Sequence, residues 1–236
     1  MNLGVNIDHV ATLRQARRGQ VPDPIIAAQT CEKVGTASIV CHLRQDRRHI
    51  NDHDLEKLRQ IVTTKLNLEM SCTQEIVDIA LEVLPDQATL VPEKREEVTT
   101  EGGLDVIAHH ARVAQVVKSL SLSGIMVSLF IDPEKPQIEA AKQAGASCIE
   151  LHTGKYANAR NQSEAKRELE ILKESVKLAR NIGLQVFAGH GLNYENVKKV
   201  TEIEEIEELN IGHSIISRAV FVGIECAVKE MLTLVK

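Results

Sequence analysis

Eight short apolar runs, spread along the whole chain and separated by stretches of helical period, constrain this fold more than any other feature. They occupy residues 3–7, 38–42, 66–69, 88–91, 126–131, 148–152, 185–188 and 208–211. Each is rich in Val, Ile and Leu and reads as nearly continuous instead of alternating, as strands of a parallel sheet covered on both faces do. Helices are predicted between them over 24–33, 54–62, 73–84, 134–144, 164–181 and 214–234. Asp23-Pro24 supplies a helix-start signature, and Gly35, Gly145 and Gly183 stand at helix-stop positions.

Strand and helix alternating eight times over 236 residues is the arithmetic of an α/β chain closed into a (β/α)8 TIM barrel with extra helices. An open doubly wound sheet is the alternative, but its first turn is usually glycine-rich, and here it reads Asn6-Ile7-Asp8-His9. No linker or low-complexity tract divides the chain, so residues 1–236 are expected to form one domain. Residues 92–124 exceed what one barrel helix needs and read as a loop followed by an extra helical element. The acidic stretch 201–208 reads as a solvated face.

Composition narrows the function. Aromatic residues make up 2% of the chain and the formal net charge is −5, which argues against base-stacking platforms and a duplex-binding footprint. No run approaches the ~18 apolar residues of a membrane span, and the first residues lack a basic region followed by an apolar one. Five scattered cysteines without a C-x-x-C pair read as reduced thiols. The expectation is a cytoplasmic enzyme or small-ligand protein, with neither nucleic acid nor membrane as partner.

In a barrel, chemistry lies at the carboxyl ends of the strands, so the residues ending each run matter most. Five of the nine histidines fall there: His9, His42, His152, His190 and His213. With them come Asn6, Asp8, Arg44, Glu69, Asp132 and Glu150. A single rim histidine often only satisfies backbone groups; five at one end point to a site. His109 and His110 read as helix surface, and His53 as a helix-start residue.

The loops Gly189-His190-Gly191 and Gly212-His213-Ser214 let backbone N–H groups approach an oxyanion, ahead of a final helix whose N-terminus favours negative charge. Arg14, Arg17 and Arg18, and then Arg44, Arg47, Arg48 and His49, form two basic clusters suited to anionic ligands. Rim histidines and carboxylates leave open a metal-dependent sugar-phosphate epimerase or aldolase, and a non-catalytic phosphosugar-binding barrel is a third reading. No H-x-H or H-E-x-x-H spacing supports a metal, and neither Lys65 nor Lys155 is placed for a Schiff base. What remains is His/Glu acid–base chemistry.

Several segments together resemble one family: Gly4-Val5-Asn6-Ile7-Asp8-His9-Val10-Ala11-Thr12-Leu13-Arg14, His42-Leu43-Arg44-Gln45-Asp46-Arg47-Arg48-His49, Asn67-Leu68-Glu69-Met70, Glu97-Val98-Thr99-Thr100-Glu101-Gly102-Gly103, Glu150-Leu151-His152-Thr153-Gly154, Ala188-Gly189-His190-Gly191-Leu192 and Asn210-Ile211-Gly212-His213. In this order they are similar to the pyridoxine 5′-phosphate synthases. The resemblance implies condensation of 1-deoxy-D-xylulose 5-phosphate with 3-amino-2-oxopropyl phosphate to pyridoxine 5′-phosphate, phosphate and water, with no metal or organic cofactor. It implies His42 as general base, Glu69 as second proton acceptor, His190 as proton donor and Glu150 as transition-state-stabilising carboxylate. It also implies an aminoketone phosphate site of Asn6, Arg17, Gly191, Gly212 and His213, and a deoxyxylulose phosphate site of Asp8, His9, Arg44, His49 and Thr99. A homo-octamer, a tetramer of dimers, is expected on the same ground, and the loop over 92–103 is a candidate lid that would keep water from the imine.

Overall fold

The computed structural model describes residues 1–92 and 102–236. In chain order the elements are β1 (Asn2–Asn6), α1 (Asp8–Arg17), α2 (Pro24–Val34), β2 (Ser38–His42), α3 (Asp52–Ile61), β3 (Lys65–Met70), α4 (Gln74–Val83), β4 (Gln87–Leu90), α5 (His110–Leu122) and β5 (Met126–Ile131). Then come α6 (Lys135–Gln143), β6 (Cys148–His152), α7 (Gly154–Ala157), α8 (Gln162–Asn181), β7 (Gln185–Gly189), α9 (Val197–Val200), β8 (Glu208–Ile211), α10 (His213–Val222) and α11 (Ile224–Val235). All neighbouring strands are parallel and the ring closes with β8 beside β1, so the expected (β/α)8 barrel is what forms.

The strands alternate, contrary to the sequence reading. On β3, Leu66, Leu68 and Met70 are fully buried in the apolar core, each burial worth about 1.5–3 kcal/mol. Lys65, Asn67 and Glu69 occupy the other face. Lys65 Nζ reaches Glu208 Oε1 on β8 at 3.0 Å, and Asn6 Nδ2 on β1 reaches Glu69 Oε2 at 3.4 Å. Neither pair belongs to neighbouring strands, so these side chains meet through the lumen. The barrel interior is therefore a stack of polar residues wrapped by an apolar shell. Short strands with only two or three inward positions each are easily read as continuous apolar runs.

Other departures have local causes. A helix, α1, begins two residues after β1, where Asn6 Oδ1 accepts the Asp8 N–H at 2.9 Å and tightens the turn. Helix α3 starts at Asp52 because Asn51 and Asp54 form a capping box. The expected last helix is two, α10 and α11, separated by Gly223 at φ 80° and ψ 152°, which α-helix cannot accommodate. In the acidic stretch Glu202, Glu204 and Glu205 are exposed, but Glu208 is buried and paired with Lys65. His53 and His109 are exposed, as read, and His110 is half-buried at the start of α5.

Candidate active site

The site is built at the carboxyl ends of the strands. Asp8, the first residue of α1, is buried, and its Oδ1 accepts the backbone N–H of His42 at 2.8 Å. Its Oδ2 accepts from Asn6 Nδ2 at 2.9 Å, and the same amide contacts Glu69. His42 and Glu69 are registered partners across β2 and β3. Asn6, Asp8, His42 and Glu69 thus form one connected group. His49 joins it, its ring 6.0 Å from that of His42. Its Nδ1 accepts the Ile50 N–H at 2.9 Å, so in the neutral ring the proton sits on Nε2.

Burial, with the charges of Asp8 and Glu150 adding to it, pushes Glu69 well above the usual carboxylate range. Glu150, deeper in the barrel, is raised to about 7, chiefly by burial; Asn210 Nδ2, which donates to it at 2.7 Å, acts the other way. His9 and His49 are lowered, mainly by burial. His190, after β7, is lowered to about 4 by burial and then by His152, which leaves its imidazole neutral near pH 7.

The two glycine loops stand on this same mouth. Gly191 has φ 77°, and a Cβ there would come within 2.6 Å of the Ala157 Cβ. A Cβ on Gly212 would sit 2.9 Å from the Asn6 Cβ and 3.0 Å from its carbonyl oxygen, so only glycine lets the β8 loop lie against the end of β1. Helix α10 follows at once, without a side-chain cap, leaving its first N–H groups to an anion. His213 opens that helix, its ring 5.1 Å from that of His9. Ser214 Oγ donates to the Leu192 carbonyl at 2.8 Å and ties the two loops together.

The basic clusters are less available than the sequence reading has them. Arg14 is buried in a two-pronged ion pair with Asp54, at 2.6 and 2.7 Å, and also donates to the His49 carbonyl. Arg47 is committed to Asp52 and Glu75, and Arg48 to Asp46. Arg44, two residues past the end of β2, is buried with its Nε 3.7 Å from Asp46. Arg17 sits exposed in the last turn of α1, about 14 Å along the helix axis from Asp8, so this chain does not bring it to the group. Thr99 and most of the expected lid lie outside the described residues.

Among the described residues, ligand atoms of Asp8, His42 and His49 lie within 4.8 Å of one another and could hold a divalent cation. All five cysteines are free, and burial pushes Cys31 up to about 12, as expected of inert fillers. Two of the rim residues read from the sequence, Asp132 and His152, have no role implied by the resemblance; they are bonded at 3.0 Å, with the His152 ring against His190.

Fold and pocket define a (β/α)8-barrel protein with a histidine–glutamate site at its carboxyl rim. Residues 3–236 match the family described as "Pyridoxal phosphate biosynthesis protein PdxJ", and the chain belongs to that family. It is 58% identical over 236 residues to a pyridoxine 5′-phosphate synthase of Pelodictyon phaeoclathratiforme, covering 100% of both chains. It is 56% identical to one of Geobacter sulfurreducens, covering 99% of this chain and 98% of that one. In fold alone it is similar to a 3-hexulose-6-phosphate synthase, with TM-score 0.67, 14% identity and 100% of both chains covered. The resemblance read from the segments above is to the same family.

Proposed function

We propose that the chain, acting as one catalytic domain, is a pyridoxine 5′-phosphate synthase that joins 1-deoxy-D-xylulose 5-phosphate to 3-amino-2-oxopropyl phosphate. The observation that carries this reading is the connected group of Asn6, Asp8, His42 and Glu69 at one mouth, facing loops with open backbone N–H groups. The amine of one substrate attacks the ketone of the other, water leaves, and the imine links the two molecules without a protein lysine. Enolisation, loss of phosphate, ring closure and loss of water then require protons to move repeatedly. His42 takes the first, Glu69 accepts a second and His190 returns one to a leaving oxygen. Glu150, beneath, balances charge developing on the bound skeleton. His9, Arg44, His49, Asp8 and Thr99 hold the deoxyxylulose phosphate; Asn6, Gly191, Gly212 and His213 hold the aminoketone phosphate.

Bound substrates set the protonation states that this sequence of steps needs. A neutral His190 is a weak acid, and burial makes Glu69 hold its proton more tightly than an ordinary carboxyl does. Phosphate dianions favour a proton on the imidazole, and the substrate ammonium favours the Glu69 carboxylate. The pocket is therefore armed by its ligands.

The same reading includes a homo-octamer in the cytoplasm. Leu13 and Arg17 lie four residues apart on one face of α1, and Leu13, Val21, Ile26, Val220 and Phe221 are large apolar side chains left exposed. Burying them against a second copy would carry Arg17 toward that copy's pocket. The direct test of the reading is His42→Asn: turnover should fall about 100- to 10,000-fold with KM changed a few-fold at most. A change confined to KM would contradict it.

A further inference from the structure

Three successive strand ends bring Asp132, His152 and His190 side by side. Asp132 Oδ1 and His152 Nδ1 are 3.0 Å apart, and the His152 side chain is only 5% exposed. The His152 ring meets His190 edge-to-face at 4.9 Å, and Phe130 completes the cluster at 5.1 Å from His152 and 6.4 Å from His190. His190 itself is held at φ 80°, a conformation that a side chain with a Cβ seldom adopts. Thr153, next to His152, pins that backbone by donating from Oγ1 to the carbonyls of Gly189 and His190 at 2.7 and 2.6 Å.

His152 Nδ1 is engaged with Asp132, and His152 Nε2 is left as a buried nitrogen with no hydrogen-bond partner among the described residues. Gly154 lies so close over the ring that a Cβ there would stand 2.5 Å from Nε2. For packing alone, a phenyl ring would fill this place without an orphaned polar atom and without a carboxylate to hold it. The imidazole is retained where its edge dipole faces His190.

We propose that Asp132 and His152 are a positioning pair for His190: Asp132 fixes the tautomer and tilt of the His152 ring, and that ring sets the orientation of the His190 imidazole. The role rests on the synthase reading, in which His190 returns a proton to substrate. The lowered titration of His190, to which His152 contributes, agrees with this contact.

The test uses full-length protein labelled with 15N in its imidazoles, comparing wild type with Asp132→Ala, Asp132→Glu and His152→Phe. In substrate-free protein the His190 nitrogen signals should move in Asp132→Ala and His152→Phe and return toward wild type in Asp132→Glu. Turnover in the first two should fall about 100-fold with KM within about threefold, the signature of a misplaced proton donor. His190 signals superimposing on wild type in Asp132→Ala, or KM rising as far as kcat falls, would overturn the proposal. The Ala/Glu pair carries the test if His152→Phe does not fold. Because the nitrogen signals need no turnover, they decide this pairing even if the wild-type protein makes no product, an outcome that would instead sink the synthase reading.

Discussion

Asp8 Oδ1 accepts the backbone N–H of His42 at 2.8 Å, so the first residue of α1 fixes the strand end that carries the His42 imidazole. The bond is buried and Asp8 holds Asn6 through its other oxygen. Replacing Asp8 with Ala strands a buried N–H, and a loss of about 1–3 kcal/mol of stability is expected, read as a fall in Tm. Turnover should drop with it, because His42 and Asn6 lose their shared anchor.

Glu69 lies above the usual carboxylate range because it is buried beside Asp8 and Glu150. As a base it works only when ionised. The pH profile of kcat/KM should therefore rise with pH through that raised value, and Glu69→Gln should abolish the rising limb and lower kcat about 100-fold or more. A limb that persists in Glu69→Gln would assign it to another group.

Glu150 gives a stability prediction with a definite sign. Its folded value is about 7 against 4.5 for an unperturbed Glu. Below pH 4.5 both states hold the proton; between 4.5 and 7 only the folded state does, so stability declines as pH rises through that window. Glu150→Gln, which can still accept from Asn210, should flatten this decline and gain on the order of 2–3 kcal/mol at pH 8 in denaturant titrations. Activity should fall in the same variant.

Arg14 separates a structural arginine from a ligand-binding one. Its pairing with Asp54 is buried and two-pronged. Arg14→Met leaves an unpaired buried carboxylate and should cost about 3–5 kcal/mol in thermal or chemical unfolding. Were Arg14 a phosphate ligand, the main effect would be on KM and stability would hold.

Gly212→Ala places a Cβ 2.9 Å from that of Asn6. The end of β1 must shift, moving Asn6 away from Asp8 and Glu69. KM for the aminoketone phosphate should rise about tenfold or more, and thermal stability should fall by about 1–3 kcal/mol.

The barrel was legible because eight apolar runs alternate with stretches of helical period, and period is a local property. The rim histidines were legible for the same reason: His42, His152 and His190 stand where runs end. What sequence could not supply was pairing. Arg14 and Arg44 look equivalent as basic residues after a strand, yet only the fold shows Asp54, forty residues on, closing on Arg14. The split at Gly223 and the capping box of Asn51 with Asp54 depend on backbone angles and reciprocal bonds that a hydrophobic pattern does not encode. Asp132 and His152 gained meaning only when β5, β6 and β7 stood side by side.

In the proposed reaction, side chains of this barrel move every proton, and the amine–ketone linkage forms between the substrates themselves. The most direct measurement is to strip the purified protein exhaustively with chelator, add both substrates, and follow the pyridine chromophore together with released phosphate. Equal appearance of the two at an undiminished rate is the predicted result. No chromophore without added divalent metal, and its return when metal is restored, would contradict it and shift attention to the Asp8, His42 and His49 group as a metal centre.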